Sequence, residues 1–112
     1  INMIYIFILL FTKHFIFDFI LQTPYQYLNK GKYGHPGGLL HSGLQAVATL
    51  AILGPWAALI DFVVHYHVDW AKVKINTKYG WKADNSEKFW WLLGLDQYLH
   101  ALTYIFLAWK FT

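Results

Sequence analysis

Four apolar segments, each close to the length of a bilayer crossing, carry histidine and aspartate at four-residue spacing, and few folds can accommodate that pattern. The segments are expected as helices over about residues 2–22, 38–53, 56–74 and 88–111. A helical crossing takes about 20 mainly apolar residues, and the second segment lies at the short end of that range. Thr23-Pro24 ends the first segment, because proline disfavours helix in the residue before it. Gly54-Pro55 separates the second from the third, with Pro55 suited to a first helical turn. Only that turn joins them, so segments two and three are expected to be antiparallel neighbours.

The polar residues inside these segments follow one rule. His14/Asp18/Gln22, His41/Gln45, Asp61/His65/Asp69 and Asp96/His100 are all spaced i, i+4. Such residues stack on one helix face, one turn apart. His67 and Gln97 fall off this register. Counted from the lysine-rich end of each segment, the groups lie roughly 5 to 13 Å deep at 1.5 Å per residue. Helices running alternately up and down would bring them into one layer.

Ionised groups in hydrocarbon cost several kcal/mol each unless paired or hydrated, so these groups are expected to meet. They can meet as Asp–His⁺ ion pairs or around a shared divalent metal. Imidazole and carboxylate together suit zinc, manganese or iron. Helix bundles build metal sites from such pairs. The expected ligands are His14, Asp18, His41, His65, Asp69, Asp96 and His100. Gln22, Gln45 and Gln97 would be hydrogen-bonding support. Asp61 or Asp69 is a candidate base, and Lys72 a candidate point charge for an anionic headgroup.

Plainer readings stand beside these. The same set can form a purely structural Asp–His network. His67 reads as an interhelical hydrogen-bond partner, and His35, in HPGG, as a solvated turn residue. Lys13 sits mid-segment, so it either pairs with an acid or marks a misdrawn boundary. Asp84 or Ser86 can cap the last segment.

Composition supports a membrane setting. Hydrophobic residues make up 57% of the chain and charged residues 13%, against about a quarter charged in soluble domains. A small soluble helical bundle would need charged outer faces, whereas NMIYIFILLF and ALTYIFLAW are apolar all round. Cysteine is absent, which excludes disulfides and thiolate ligands. The nine basic residues are all lysine and form no stripe with stacking aromatics, so nucleic-acid binding is set aside. The first run lacks a basic start and a small-residue cleavage site, and is expected to stay as a span rather than act as a cleaved signal. Lys30, Lys32, Lys72, Lys74, Lys78, Lys82 and Lys88 lie in or beside the two polar connections, on one side of a four-span arrangement. The positive-inside rule makes that side cytoplasmic and both termini non-cytoplasmic. Tyr25, Tyr27, Tyr33, Trp81, Trp90 and Trp91 sit where an interfacial belt would.

HFIFDFILQ, GGLLHSGLQA, HYHVDWAK and LDQYLHAL resemble the blocks of a small membrane-protein family of bacteria and phages, domain-of-unknown-function family 3307. The matching positions are His14, Asp18 and Gln22; Lys30, Gly37, Gly38 and His41; His65, Asp69 and Lys72; and Asp96, Gln97 and His100. The resemblance implies a membrane-embedded chain, in bacteria an inner-membrane one, and supplies no reaction. The expectation is therefore an all-α, four-helix transmembrane bundle with a polar His/Asp site in its cytoplasmic half. Its leading function is a metal-dependent hydrolase acting on a lipid-linked substrate at headgroup level. The alternatives are an ion or proton pathway, or a structural or phage accessory protein. A homo-oligomer is compatible with either.

Overall fold

The computed structural model describes residues 2–112, and the regular structure among them is entirely helical. Helix α1 (Met3–Phe15) starts where Asn2 Oδ1 accepts the Ile4 N–H at 2.9 Å, a standard use of asparagine at an N-cap. At Ile16–Ile20 the helix widens into a π turn, with the Leu21 N–H donating to Ile16 O at 2.8 Å. The first expected helix is thus a helix plus a π turn, and it ends before Gln22.

Thr23 and Pro24 then start a short helix that was not expected, α2 (Pro24–Asn29), with the Thr23 hydroxyl accepting the Gln26 N–H. A proline stops the helix before it and suits the first turn of the next, and only the first role was read from the sequence. Helix α3 (Pro36–Leu53) is capped by the His35 ring, whose Nδ1 accepts the Gly37 N–H at 3.0 Å. His35 is therefore a half-buried cap rather than a solvated turn residue. A Cβ at Gly37 would lie 2.5 Å from Tyr25 O, so its bare backbone lets α2 lie against the start of α3.

Gly54, at φ +96°, makes the tight turn into α4 (Pro55–Tyr79). The α3–α4 hairpin is antiparallel as expected: Thr49 meets Asp61 near the turn, and His41 meets His65 and Asp69 further away. Helix α4 runs five residues past the expected end, through Lys78. Helix α5 (Glu87–Phe111) begins at the anticipated Ser86 cap, whose Oγ accepts the Lys88 N–H.

The bundle core has two halves. Ile6, Leu10, Ala57, Tyr104, Leu107 and Ala108 fill one, flanked by Phe7, Ile52, Leu53, Ile60 and Phe111. The other is filled by buried His, Asp, Lys and Gln side chains. The outside is apolar, with Ile4, Ile8, Phe15, Val47, Leu50, Leu59, Ile105 and Phe106 all exposed. This inverts the usual soluble arrangement, in which ionisable side chains are almost never fully buried.

By length and composition, two stretches suffice to cross a membrane, Met3–Ile20 and Pro36–Leu53. Four spans were expected. Helices α4 and α5 are longer, at 25 residues each, but the polar residues of the interior lower their overall apolarity. Asp61, His65 and Asp69 do so in α4, and Asp96, Gln97 and His100 in α5.

Candidate metal centre

Four of the expected ligands converge on one point. Asp18, His41, His65 and Asp69 are all buried, and each offers a ligand atom within 4.8 Å of all the others. The π turn presents Asp18 from α1. His41 comes from the first turns of α3, and His65 and Asp69 are stacked one turn apart on α4. His41 Nε2 lies 2.8 Å from Asp18 Oδ1, 3.2 Å from Asp69 Oδ2 and 3.3 Å from His65 Nε2. His65 Nε2 lies 3.4 Å from Asp18 Oδ1 and 3.2 Å from Asp69 Oδ2. Four ligands at zinc distances of 2.0–2.2 Å around a tetrahedron would be separated by about 3.3–3.6 Å. The edges at 3.2–3.4 Å are close to that, and the His41–Asp18 edge, at 2.8 Å, is shorter.

Hydrogen bonding among the four does not account for their approach. Asp69 Oδ2 is within 3.2 Å of both imidazole Nε2 atoms, yet it is aligned for a hydrogen bond with neither, and its one further neighbour is the Lys30 ammonium at 3.8 Å. Buried carboxylate oxygens are rarely left in that state.

The surrounding contacts orient the imidazoles. His41 Nδ1 faces Gln26 Oε1 at 3.3 Å, an acceptor for an Nδ1 proton, and Nε2 is the ring atom turned toward the cluster. His65 Nδ1 faces Asp61 Oδ1 at 3.9 Å, and neither atom has another partner. Gln45 donates to Asp18 Oδ1 at 3.1 Å.

Asp96 and His100 adjoin the quartet, and with Asp18 they form a second group of potential ligands. His100 Nε2 lies 3.2 Å from Asp69 Oδ1 and 3.4 Å from Asp96 Oδ1. Its ring stacks on that of His65, with centroids 4.0 Å apart.

His14, expected as a ligand, is held in a different role. His14 Nε2 faces two acceptors, Gln97 Oε1 at 2.8 Å and Asp18 Oδ2 at 3.1 Å, so it carries the ring proton. Its Nδ1 then accepts from the Tyr104 hydroxyl at 2.7 Å, and Tyr104 Oη accepts from Lys13 Nζ at 2.9 Å. A protonated Nε2 has no lone pair for a metal. Gln97 in turn donates to Asp96 Oδ2 at 2.8 Å and Asp18 Oδ2 at 3.3 Å. It was expected off the common face. Successive helical residues point about 100° apart, and α5 packs against both α1 and α4, so Asp96 and Gln97 each find the cluster from a different side.

Other expectations change as well. Asp61 does not join the quartet: its Oδ2 accepts from Lys13 Nζ at 2.9 Å and from Thr49 Oγ1 at 2.5 Å. Lys13 is the mid-segment lysine that pairs with an acid. Gln22 reaches only the main-chain oxygen of Asp18, at 2.6 Å. Lys72 lies 3.4 Å from Asp96 Oδ2. His67 is exposed and bonded to Tyr33 Oη and Val63 O, outside the cluster. Tyr104, Thr49, Gln26 and Lys30, the last 3.8 Å from Asp69 Oδ2, were not read as site residues from their spacing.

The chain belongs to the family described as Protein of unknown function (DUF3307), whose model matches residues 6–112, essentially the whole chain. No curated protein and no solved structure matches it.

Proposed function

We propose that the chain is an integral membrane protein whose α1, α3, α4 and α5 all cross the bilayer, and that it is a metal-dependent hydrolase of lipid-linked substrates. The observation that carries the reading is the Asp18/His41/His65/Asp69 quartet, with Asp69 Oδ2 left without a hydrogen bond between two imidazoles. A self-contained structural network would be expected to satisfy that oxygen. A cation at the centre satisfies all four groups at once.

Charge counting favours one ion. Four buried carboxylates, Asp18, Asp61, Asp69 and Asp96, face three lysines: Lys13 at Asp61, Lys30 at Asp69 and Lys72 at Asp96. With neutral imidazoles, one negative charge is in excess. One divalent ion leaves a single positive charge, which favours an anionic substrate. A second ion at Asp18/Asp96/His100 would leave three positive charges in a low-dielectric interior, at a cost of several kcal/mol per ion.

Four protein ligands close a tetrahedron, so an ion here would need a fifth position, as zinc adopts in catalysis; there it would polarise a phosphoryl or acyl oxygen and lower the pKa of a bound water. The protein's own groups do the rest. Gln26 holds the imidazole of His41, and Asp61 faces His65 Nδ1 at 3.9 Å. His14 and Gln97 hold Asp18. Asp96, whose Oδ1 lacks a hydrogen bond, stands beside His100 and Lys72 at the edge of the cluster. The ion-pathway alternative is opposed by the apolar half, where Ile6, Leu10, Leu107 and Ala108 leave no polar chain to the other end.

Elemental analysis of the purified full chain tests the reading. About one zinc, manganese or iron per chain is expected, in keeping with the charge count. The metal should be lost in His65→Ala and Asp69→Ala variants that keep their helical circular dichroism. A wild-type chain without stoichiometric metal after reconstitution would remove the basis for hydrolysis.

A further inference from the structure

Between α4 and α5 lies a groove of about 250 Å³. Val68, Ala71 and Ile75 form one wall, and Leu92, Leu95 and Leu99 the other. Lys72, Asp96 and the exposed His67 complete the lining. Three other surface grooves are lined by apolar side chains with at most a threonine among them. This groove alone of the four reaches ionisable groups, and one of them, Asp96, belongs to the buried cluster. Asp96 Oδ1 faces His100 at 3.4 Å, while its Oδ2 faces Lys72 Nζ at 3.4 Å.

The lysine has capacity to spare. An ammonium carries three donors, and 3.4 Å exceeds the roughly 2.7–2.9 Å of a charge-assisted hydrogen bond. An apolar trough ending at an incompletely engaged cation is complementary to a hydrocarbon chain ending in an anion. The volume is below the roughly 300–1,000 Å³ of pockets for drug-sized ligands, which suits one chain rather than two.

We infer that this groove seats the tail of a single-chain lipid with an anionic phosphate headgroup, taken sideways from the bilayer. The phosphate docks on Lys72, beside Asp96, and the tail runs past Val68 and Leu99 toward the bilayer centre. This rests on the hydrolase reading for its chemistry but not for its binding.

The test uses the full chain in phosphatidylcholine nanodiscs containing a diazirine-bearing dodecyl phosphate. After irradiation, labelled peptides are mapped by mass spectrometry, with the matching diazirine alcohol as the neutral control. Labelling is expected to concentrate on the 68–75 and 92–99 stretches. Lys72→Gln should weaken labelling by the phosphate about tenfold, the worth of one charged hydrogen bond, and leave the alcohol unchanged. Ala71→Trp should block both probes, and Leu95→Phe serves if that variant does not fold. Labelling spread evenly over the outer faces overturns the proposal, as does groove labelling indifferent to the headgroup. Focused, headgroup-dependent labelling in a chain that binds no metal keeps the groove and discards hydrolysis, so the two failures are distinguishable.

Discussion

The apolar and polar halves of the core are built from the same helices but constrain the fold differently. In the apolar half, Ile6, Leu10, Leu107 and Ala108 pack against one another, while Ile8, Leu50 and Ile105 point outward with the same chemistry. In the membrane setting proposed above, burial hardly distinguishes the two sets, because acyl chains are as apolar as leucine. In the polar half each group has a specific partner on another helix: Lys13 with Asp61, His41 with Asp18, His100 with Asp69. A helix rotated or slid by one turn would lose those partners. The polar half therefore sets the register, and the apolar half supplies close packing.

The largest effect should come from breaking the deepest ion pair. Asp61→Leu leaves the Lys13 ammonium buried without its carboxylate and should destabilise the bundle by about 3–5 kcal/mol. Adding Lys13→Met should recover most of that loss, since a well-packed apolar pair can replace a buried ion pair at little cost. Denaturant unfolding in nanodiscs gives both values. A double variant as unstable as the single one would mean that the pair does not set the register.

Next in size is Tyr104→Phe. It strands His14 Nδ1 and one Lys13 donor, at a cost of about 1–3 kcal/mol. It also loosens the chain of contacts that orients Asp18, so metal affinity should fall about 10–100-fold, the usual range for residues that orient ligands. Titration of the metal-free chain with zinc measures this. Unchanged affinity would show that Asp18 is held without the Lys13–Tyr104–His14 chain.

Tyr104 also shows how far the sequence could be read. Four-residue spacing located the layer where Asp18, His41, His65, Asp69, Asp96 and His100 meet. Carried one turn further, the same ladder runs 41/45/49 on α3 and 96/100/104 on α5, reaching Thr49 and Tyr104. In TLAIL and TYIFLAW these read as members of apolar runs, because a hydroxyl becomes a site group only when another helix brings it a partner. The π turn at Ile16–Ile20 left no signal, since it depends on hydrogen bonding that composition does not specify. The role of His14 was hidden for a related reason: spacing shows that a histidine faces the layer, but its tautomer is fixed by Tyr104 and Gln97. Gln26 and Lys30 lie on and beside the unexpected α2, outside every segment drawn from hydropathy.

The smallest effects test the coat against the apolar half. Leu10→Ala would cost about 2–5 kcal/mol in a soluble core, where the lost transfer from water adds to the cavity. With lipid as the reference, only the packing remains, so about 1–2 kcal/mol is expected. Val47→Ala, at a side chain 63% exposed on the outer face of α3, should change stability by less than about 0.5 kcal/mol. The ratio of the two is informative because both remove apolar atoms from helices that pass the same length and composition test. A Val47→Ala cost equal to that of Leu10→Ala would mean that the outer face of α3 packs against protein rather than lipid. A second copy of the chain would then be the first partner to look for, by cross-linking in the same nanodiscs.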